Sequence, residues 1–303
     1  MYQIDINALL ASKWKWPAAI IIVVMTLLAC IYAFTFFQPS AIYSKQLTLR
    51  YQFEVRNSTN ENLSSVALSI FAPLKKTQYQ RVDGITASHE FDVSSDNFGQ
   101  QKLIFNGVSL PPHGADVITI TLAVAIQKEG NPKITFVAGD ALFDAEHVDL
   151  DASSVALTSL ALAKNDGINP LSIYRWLNTN ITSVDFLPED RGADYALTYL
   201  RGDCTEFMYA FLALSRFNGI PSWGYAGFVV DESETILRSA AYHNWNEFYS
   251  EGGWHLADAQ RQQFRTSEKI YLAFRVIGLT DGLTSSSSHR YISHDPRIAV
   301  RML

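Results

Sequence analysis

The chain has 303 residues, 48% apolar and 18% charged, with a formal net charge of −6. That length accommodates two modest domains, and an acidic balance without a basic block excludes an electrostatic footprint for nucleic acid, so no nucleic-acid partner is expected. Its two cysteines, Cys30 and Cys204, form no CxxC or Cys/His cluster; no zinc site and no cofactor are expected.

Residues 1–16 read as a short cytoplasmic N-terminus with Lys13, Trp14, Lys15 and Trp16 at its end. Pro17 to Phe37 then runs 21 residues without a charge. At about 1.5 Å per residue such a helix spans the roughly 30 Å hydrocarbon core of a bilayer. The run is longer than the apolar core of a cleavable signal peptide. The expectation is a transmembrane signal anchor over 17–37 and a single-pass protein of the inner membrane, with the remainder of the chain on the periplasmic side.

From Tyr43 to Leu150 the period becomes two. Leu47, Leu49, Tyr51, Phe53 and Val55 alternate with polar residues, and Val66, Leu68 and Ile70 repeat the pattern. Further strands are expected over 85–93, 102–105, 117–126 and 134–137, punctuated by Asn-Gly, Pro-Pro-His-Gly and Glu-Gly-Asn-Pro turns. This predicts an antiparallel β-sandwich over 43–150. With no titratable cluster in it, the sandwich reads as a spacer or a docking surface for an envelope protein partner.

From 151 to 303 the expectation is a second, α+β domain. Ser153 or Ser154 caps a helix carrying Val155, Leu157, Leu160 and Leu162; Asn169-Pro170 starts another with Ile173, Trp176 and Leu177 on one face; a third covers 193–200. Strands follow over 223–230, 241–249 and 254–259, then a short helix after Thr266. Ser285 to Ser288, with His289 and Arg290, reads as a loop that could cover the site.

Arg201-Gly-Asp-Cys-Thr-Glu-Phe opens a fourth helix that Gly219-Ile-Pro221 closes. Asp203 is a good N-cap and Glu206 completes a capping box. Cys204 thus sits on the first turn, where orphan N–H groups and the helix dipole favour a thiolate. His243 and Asp258 flank a turn at Ser250–Gly253. A two- or four-residue loop places them on one face of a hairpin, directly opposite or one diagonal step apart. A cysteine, a base and an orienting carboxylate suit acyl transfer through a thioester. The Cys204 N–H is a ready oxyanion donor; Trp176, Tyr195 and Tyr199 are candidates for a second. Trp245 and Trp254 read as core, Glu206 and Glu247 as structural, and His255 falls on the wrong face.

Gly202-Asp-Cys-Thr-Glu-Phe, Ala213 to Pro221, His243-x-Trp-x-Glu-Phe-Tyr and Gly253-Trp-x-x-x-Asp258 together resemble the transglutaminase-like branch of the papain-like thiol enzymes. The resemblance covers roughly 170–262. It implies a papain-like, transglutaminase-like α+β core with Cys204 as nucleophile, His243 as base and Asp258 as orienter, acting on a protein or peptide substrate. Ser222-Trp223, Asn244 and Ala259 depart from the family pattern around the substrate pocket. The full expectation is a membrane-anchored cysteine enzyme that hydrolyses peptide or side-chain amides. Alternatives are transglutaminase-type cross-linking, a non-catalytic envelope scaffold on the same fold, and a redox sensor using Cys204.

Overall fold

The computed structural model describes residues 20–27 except 22, 43–127, and 144–303 except 166, 188, 279–286, 288 and 294. Residues 1–42 and Tyr43–Leu303 form two separate compact units.

In the first unit every described position of 20–27 is helical and exposed. Among the described residues no helix is long and apolar enough to cross a membrane. This corrects the expected transmembrane anchor, and with it the inner-membrane, single-pass, periplasm-facing placement and the envelope partner. A window of apolar residues reports composition and does not by itself show a continuous helix. The expected cytoplasmic stretch 1–16, Cys30 and the rest of 17–37 lie outside the described residues.

The second unit begins with the alternating strands: β1 (Lys45–Asn57), β2 (Leu63–Ala72), β3 (Gln80–Ala87), β4 (Asp92–Ser95), β5 (Gln101–Leu110) and β6 (Ala115–Ile126). The stretch 85–93, read as one strand, is interrupted between β3 and β4, which enter different sheets. The expected strand at 134–137 lies outside the described residues. The alternation works as anticipated: Leu49, Tyr51, Phe53 and Val55 are buried, as are Val66, Leu68 and Ile70.

Two four-stranded antiparallel sheets result, and each takes a strand from the end of the chain. β15 (Ile298–Met302) pairs with β1 in the order β15-β1-β6-β3, and β14 (Tyr291–Ile292) pairs with β2 in the order β14-β2-β5-β4.

After the sandwich come α1 (Ser153–Asn165), α2 (Pro170–Asn180), β7 (Thr182–Ser183), α3 (Gly192–Tyr199), β8 (Arg201–Gly202) and α4 (Cys204–Phe217). Asn169 caps α2 with a reciprocal bond from Ser172. In α1 the buried face is Val155, Thr158, Ser159 and Leu162, while Leu157 and Leu160 are exposed. Helix α4 is buried from Thr205 to Arg216, all round rather than on one stripe, as its run of apolar residues requires. It packs with α1, α2 and α3 in one apolar cluster that also takes Ala226, Phe248 and Ala257 from the sheet beneath.

That sheet has the order β12-β11-β10-β9-β13, from β9 (Ser222–Val230), β10 (Tyr242–Ser250), β11 (Gly253–Asp258), β12 (Gln263–Phe264) and β13 (Ile270–Ile277). The helix expected after Thr266 is instead the fully buried strand β13, because an unbroken apolar run looks alike in a buried helix and a buried strand. Gln80 clasps it to the sandwich, donating to Ala273 O at 2.8 Å and accepting from Ala273 N at 2.7 Å. Phe228, Leu272 and Phe274 join the sandwich residues in one core. The α+β architecture with antiparallel sheets stands; the transmembrane helix assigned to it does not.

Candidate active site

The turn before α4 is built by two carboxylates. Asp203 Oδ1 accepts from Thr205 N at 2.8 Å, and Glu206 Oε2 accepts from Asp203 N at 3.0 Å. This is the reciprocal capping box, and it is buried. Their second oxygens hold the preceding loop: Asp203 Oδ2 accepts from Leu187 N at 2.7 Å, and Glu206 Oε1 from Arg191 N at 3.1 Å. Gly202 is required by closeness, since a Cβ there would lie 2.3 Å from the Glu206 Cβ. Burial, followed by the Asp203 carboxylate, pushes the Glu206 carboxyl up to about 7.

Cys204 is a free thiol that keeps part of its surface open. The polar Asn244 backbone and Thr205 side chain beside its sulphur favour the thiolate. Burial works against them, first in magnitude, with Asp203 and Asp258 adding negative charge nearby; together they push the thiol up to about 12. The thiolate expected from the helix dipole is therefore a neutral thiol here, because desolvation and the capping carboxylate outweigh the dipole.

The hairpin is closed by Glu251-Gly252, both with positive φ (53° and 81°), the backbone of a type I′ turn. The turn sets Ser250 opposite Gly253 and Asn246 opposite Ala257. His243 and Asp258 are consequently one diagonal step apart on one face. His243 Nε2 donates to Asp258 Oδ2 at 2.6 Å, with both side chains buried. The carboxylate is further held by Tyr271 Oη on Oδ2 at 2.8 Å and Arg261 N on Oδ1 at 3.0 Å.

Alternation turns Asn244 and Asn246 to the α4 face: Asn244 Nδ2 donates to Thr205 Oγ1 at 3.0 Å and Asn246 Nδ2 to Met208 O at 3.1 Å. Among the described residues no hydrogen bond runs directly between Cys204 and His243. Catalytic hydrogen bonds are often open in free enzymes and close only around substrate.

Trp245 and Trp254 are buried in the core on the far face of the sheet, together with Trp223 and Tyr225. Glu247 lies in that layer too, accepting from Gln78 Nε2 at 2.9 Å. His255 turns away from the pair and meets Ser250 O at 3.0 Å. Neither Trp176, Tyr195 nor Tyr199 hydrogen-bonds to Cys204 among the described residues. Tyr195 accepts from Arg191 at 2.8 Å and stacks on Tyr199.

Several residues at the site have roles that the sequence pattern does not specify. Ser287, from the serine run, is buried; its N–H donates to Asp190 Oδ2 at 2.8 Å, and its hydroxyl accepts from Asn244 Nδ2 at 2.8 Å. Its neighbours 285, 286 and 288 lie outside the described residues. Arg290 lies over the Tyr242 ring at 4.8 Å. Tyr271 sits on the strand misread as helix. Among the described residues no group of three or more His, Cys, Asp or Glu side chains is arranged to hold a metal ion.

With this geometry established, the known relatives can be compared. Residues 157–259 match the Transglutaminase-like superfamily. The matched stretch runs from α1 to the residue after Asp258 and includes Cys204 and His243. The fold is similar to that of a provisionally assigned cysteine protease from Cytophaga hutchinsonii, at 15% identity over 86% of this chain and 91% of that one, with a TM-score of 0.57. The periplasmic domain of TgpA from Pseudomonas aeruginosa matches at 16% identity over 73% of this chain and 92% of that one, with a TM-score of 0.35. A provisionally assigned protease from Parabacteroides distasonis matches at 14% over 78% and 48%, with a TM-score of 0.31. These last two scores are too low to carry an argument. No curated protein matches the sequence. Over residues 157–259 the chain is thus similar in sequence to the transglutaminase-like superfamily, and its fold is similar to that of the Cytophaga protein.

Proposed function

We propose that the chain is a cysteine-dependent acyl-transfer enzyme acting on peptide or side-chain amides, with Cys204 as nucleophile, His243 as base and Asp258 as orienting carboxylate. The observation that carries this is the buried 2.6 Å bond from His243 Nε2 to Asp258 Oδ2, on a strand whose next residue, Asn244, donates to Thr205, the residue after Cys204. With Nε2 committed to the carboxylate, Nδ1 is the nitrogen left for the thiol proton.

The neutral thiol decides the order of events. As Sγ bonds to the carbonyl carbon, its proton passes to His243 Nδ1, and the carbonyl oxygen takes the negative charge at the Cys204 N–H. Collapse breaks the C–N bond, and the imidazolium gives its proton to the departing amine. Water then attacks the thioester as His243 takes the water's proton; cleavage of C–S releases the acid, and the imidazolium proton passes back to Sγ to restore the thiol and the neutral base. Hydrolysis is preferred to transfer to an amine because no residue among those described marks an amine-binding position.

A generic acyl donor tests this without knowledge of the substrate. With p-nitrophenyl acetate, an acetyl group should appear on Cys204 by mass spectrometry, Cys204→Ala should abolish it, and His243→Ala should slow it by about 100-fold or more. Acetylation at the rate of a free cysteine, unaffected by His243→Ala, would leave a binding protein on an enzyme fold.

A further inference from the structure

One group beside the pair has no part in the steps above. Tyr271, on β13, is buried at 7% exposure and donates to Asp258 Oδ2 at 2.8 Å, the oxygen that also receives His243 Nε2–H. Its ring is fixed edge-on against Trp245 at 5.1 Å, and Trp245 in turn stacks on Tyr225 at 5.9 Å. The hydroxyl is thus held by packed aromatic rings, which gives it little freedom to follow another partner.

We infer that Tyr271 is a positioning residue of the acyl-transfer site, acting through Asp258 on His243; this rests on the function proposed above. Two donors on one carboxylate oxygen fix the rotation of the carboxyl group, with Arg261 N on the other oxygen completing the hold. The tyrosine also draws negative charge from Oδ2, which limits how strongly the carboxylate retains the imidazolium proton. A base that must release its proton to the leaving amine needs that limit.

The groups facing this centre are His243 and Cys204, Tyr174 from α2, and the Arg261 backbone after β11. Ser267 and the Arg261 charge face Tyr271 itself.

The test uses p-nitrophenyl acetate and the full chain. Tyr271→Phe keeps the ring, so its melting temperature should stay near wild type. Its kcat should fall about 10-fold with KM within about twofold, and the acid limb of the kcat/KM profile should rise by about half a pH unit or more. In an Asp258→Asn background Tyr271→Phe should add nothing further. An unmoved acid limb overturns the inference, whether activity is kept or is lost together with the melting temperature, and so does a full effect in the Asp258→Asn background. Failure of the parent proposal is separate: it shows as His243→Ala leaving acetylation unchanged in a chain with Tyr271 intact, and it removes the inference with it.

Discussion

At Cys204 two influences oppose each other. The helix start offers orphan N–H groups and the positive end of a dipole, while burial and the Asp203 carboxylate favour the protonated thiol and hold it up to about 12. Because Asn caps helices as well as Asp, Asp203→Asn removes the charge and keeps an acceptor for Thr205 N, at the loss of the bond from Leu187 N. It should lower the alkylation midpoint of Cys204 and speed iodoacetamide labelling at pH 8 by about 3- to 10-fold, a unit of pKa being tenfold in thiolate. Peptide mass spectrometry across a pH series measures this, and unchanged labelling would mean that desolvation alone sets the thiol. At Asp258 the corresponding change, Asp258→Asn, removes the charge that stabilises the imidazolium and leaves one acceptor oxygen where the structure uses two. Turnover of p-nitrophenyl acetate should then drop by about 100-fold or more, with the melting temperature little changed.

At the scale of elements, the site was legible wherever local chemistry fixes geometry. Asp203 and Glu206 announce the start of α4, and a Gly-containing turn between two apolar runs announces the hairpin whose register pairs His243 with Asp258. It was not legible where a segment's role depends on what covers it. IYLAFRVI in β13 has no period to betray a strand, so Tyr271 went unnoticed, and Ser287 is one serine in a row of four until Asp190 and Asn244 meet it. Close approach is likewise invisible in sequence. Gly202→Ala would drive a methyl into the Glu206 stem at 2.3 Å, and overpacking of this kind costs about 1–3 kcal/mol. Chemical denaturation should show that loss, together with slower acetylation, since the turn bearing Cys204 must shift. Glu247 gives a pH signature to β10. Burial lifts its carboxyl from 4.5 to about 8, so the folded chain binds a proton that the unfolded chain releases. Its stabilising effect is complete below pH 4.5 and is lost as pH rises through 8. Glu247→Gln keeps an acceptor for Gln78 and should flatten the fall in melting temperature between pH 5 and pH 9.

At the scale of the whole molecule, the sandwich and the acyl-transfer region are not successive beads. Phe53 pairs with Met302 and Tyr291 with Ile70, so each sandwich sheet is completed by the chain's last residues after the segment bearing Cys204, His243 and Asp258 has been traversed. A reading along the sequence assigns residues 291–303 to the domain they follow, because pairing across more than two hundred residues leaves no local trace. The apolar core runs on from Leu49, Phe53 and Ile120 to Phe228, Leu272 and Phe274, so β13, which carries Tyr271, has the sandwich on its flank. Removing residues 298–303 should therefore be felt at both ends of this arrangement. It uncovers the hydrogen-bonding edge of β1 and takes away Met302, along with the partly buried Ile298 and Val300. That is about 2–4 kcal/mol of burial, or about 5–15 °C in melting temperature for a chain of this size. An open, long edge strand also invites pairing between molecules. Thermal melts and size-exclusion chromatography of the truncated chain should show both effects, and the acetylation of Cys204 should decline at temperatures where the full chain still works. A truncated chain that melts and elutes like the full one would show that β15 only rests against β1, and that the continuity of the core from sandwich to active site carries little of the fold's stability.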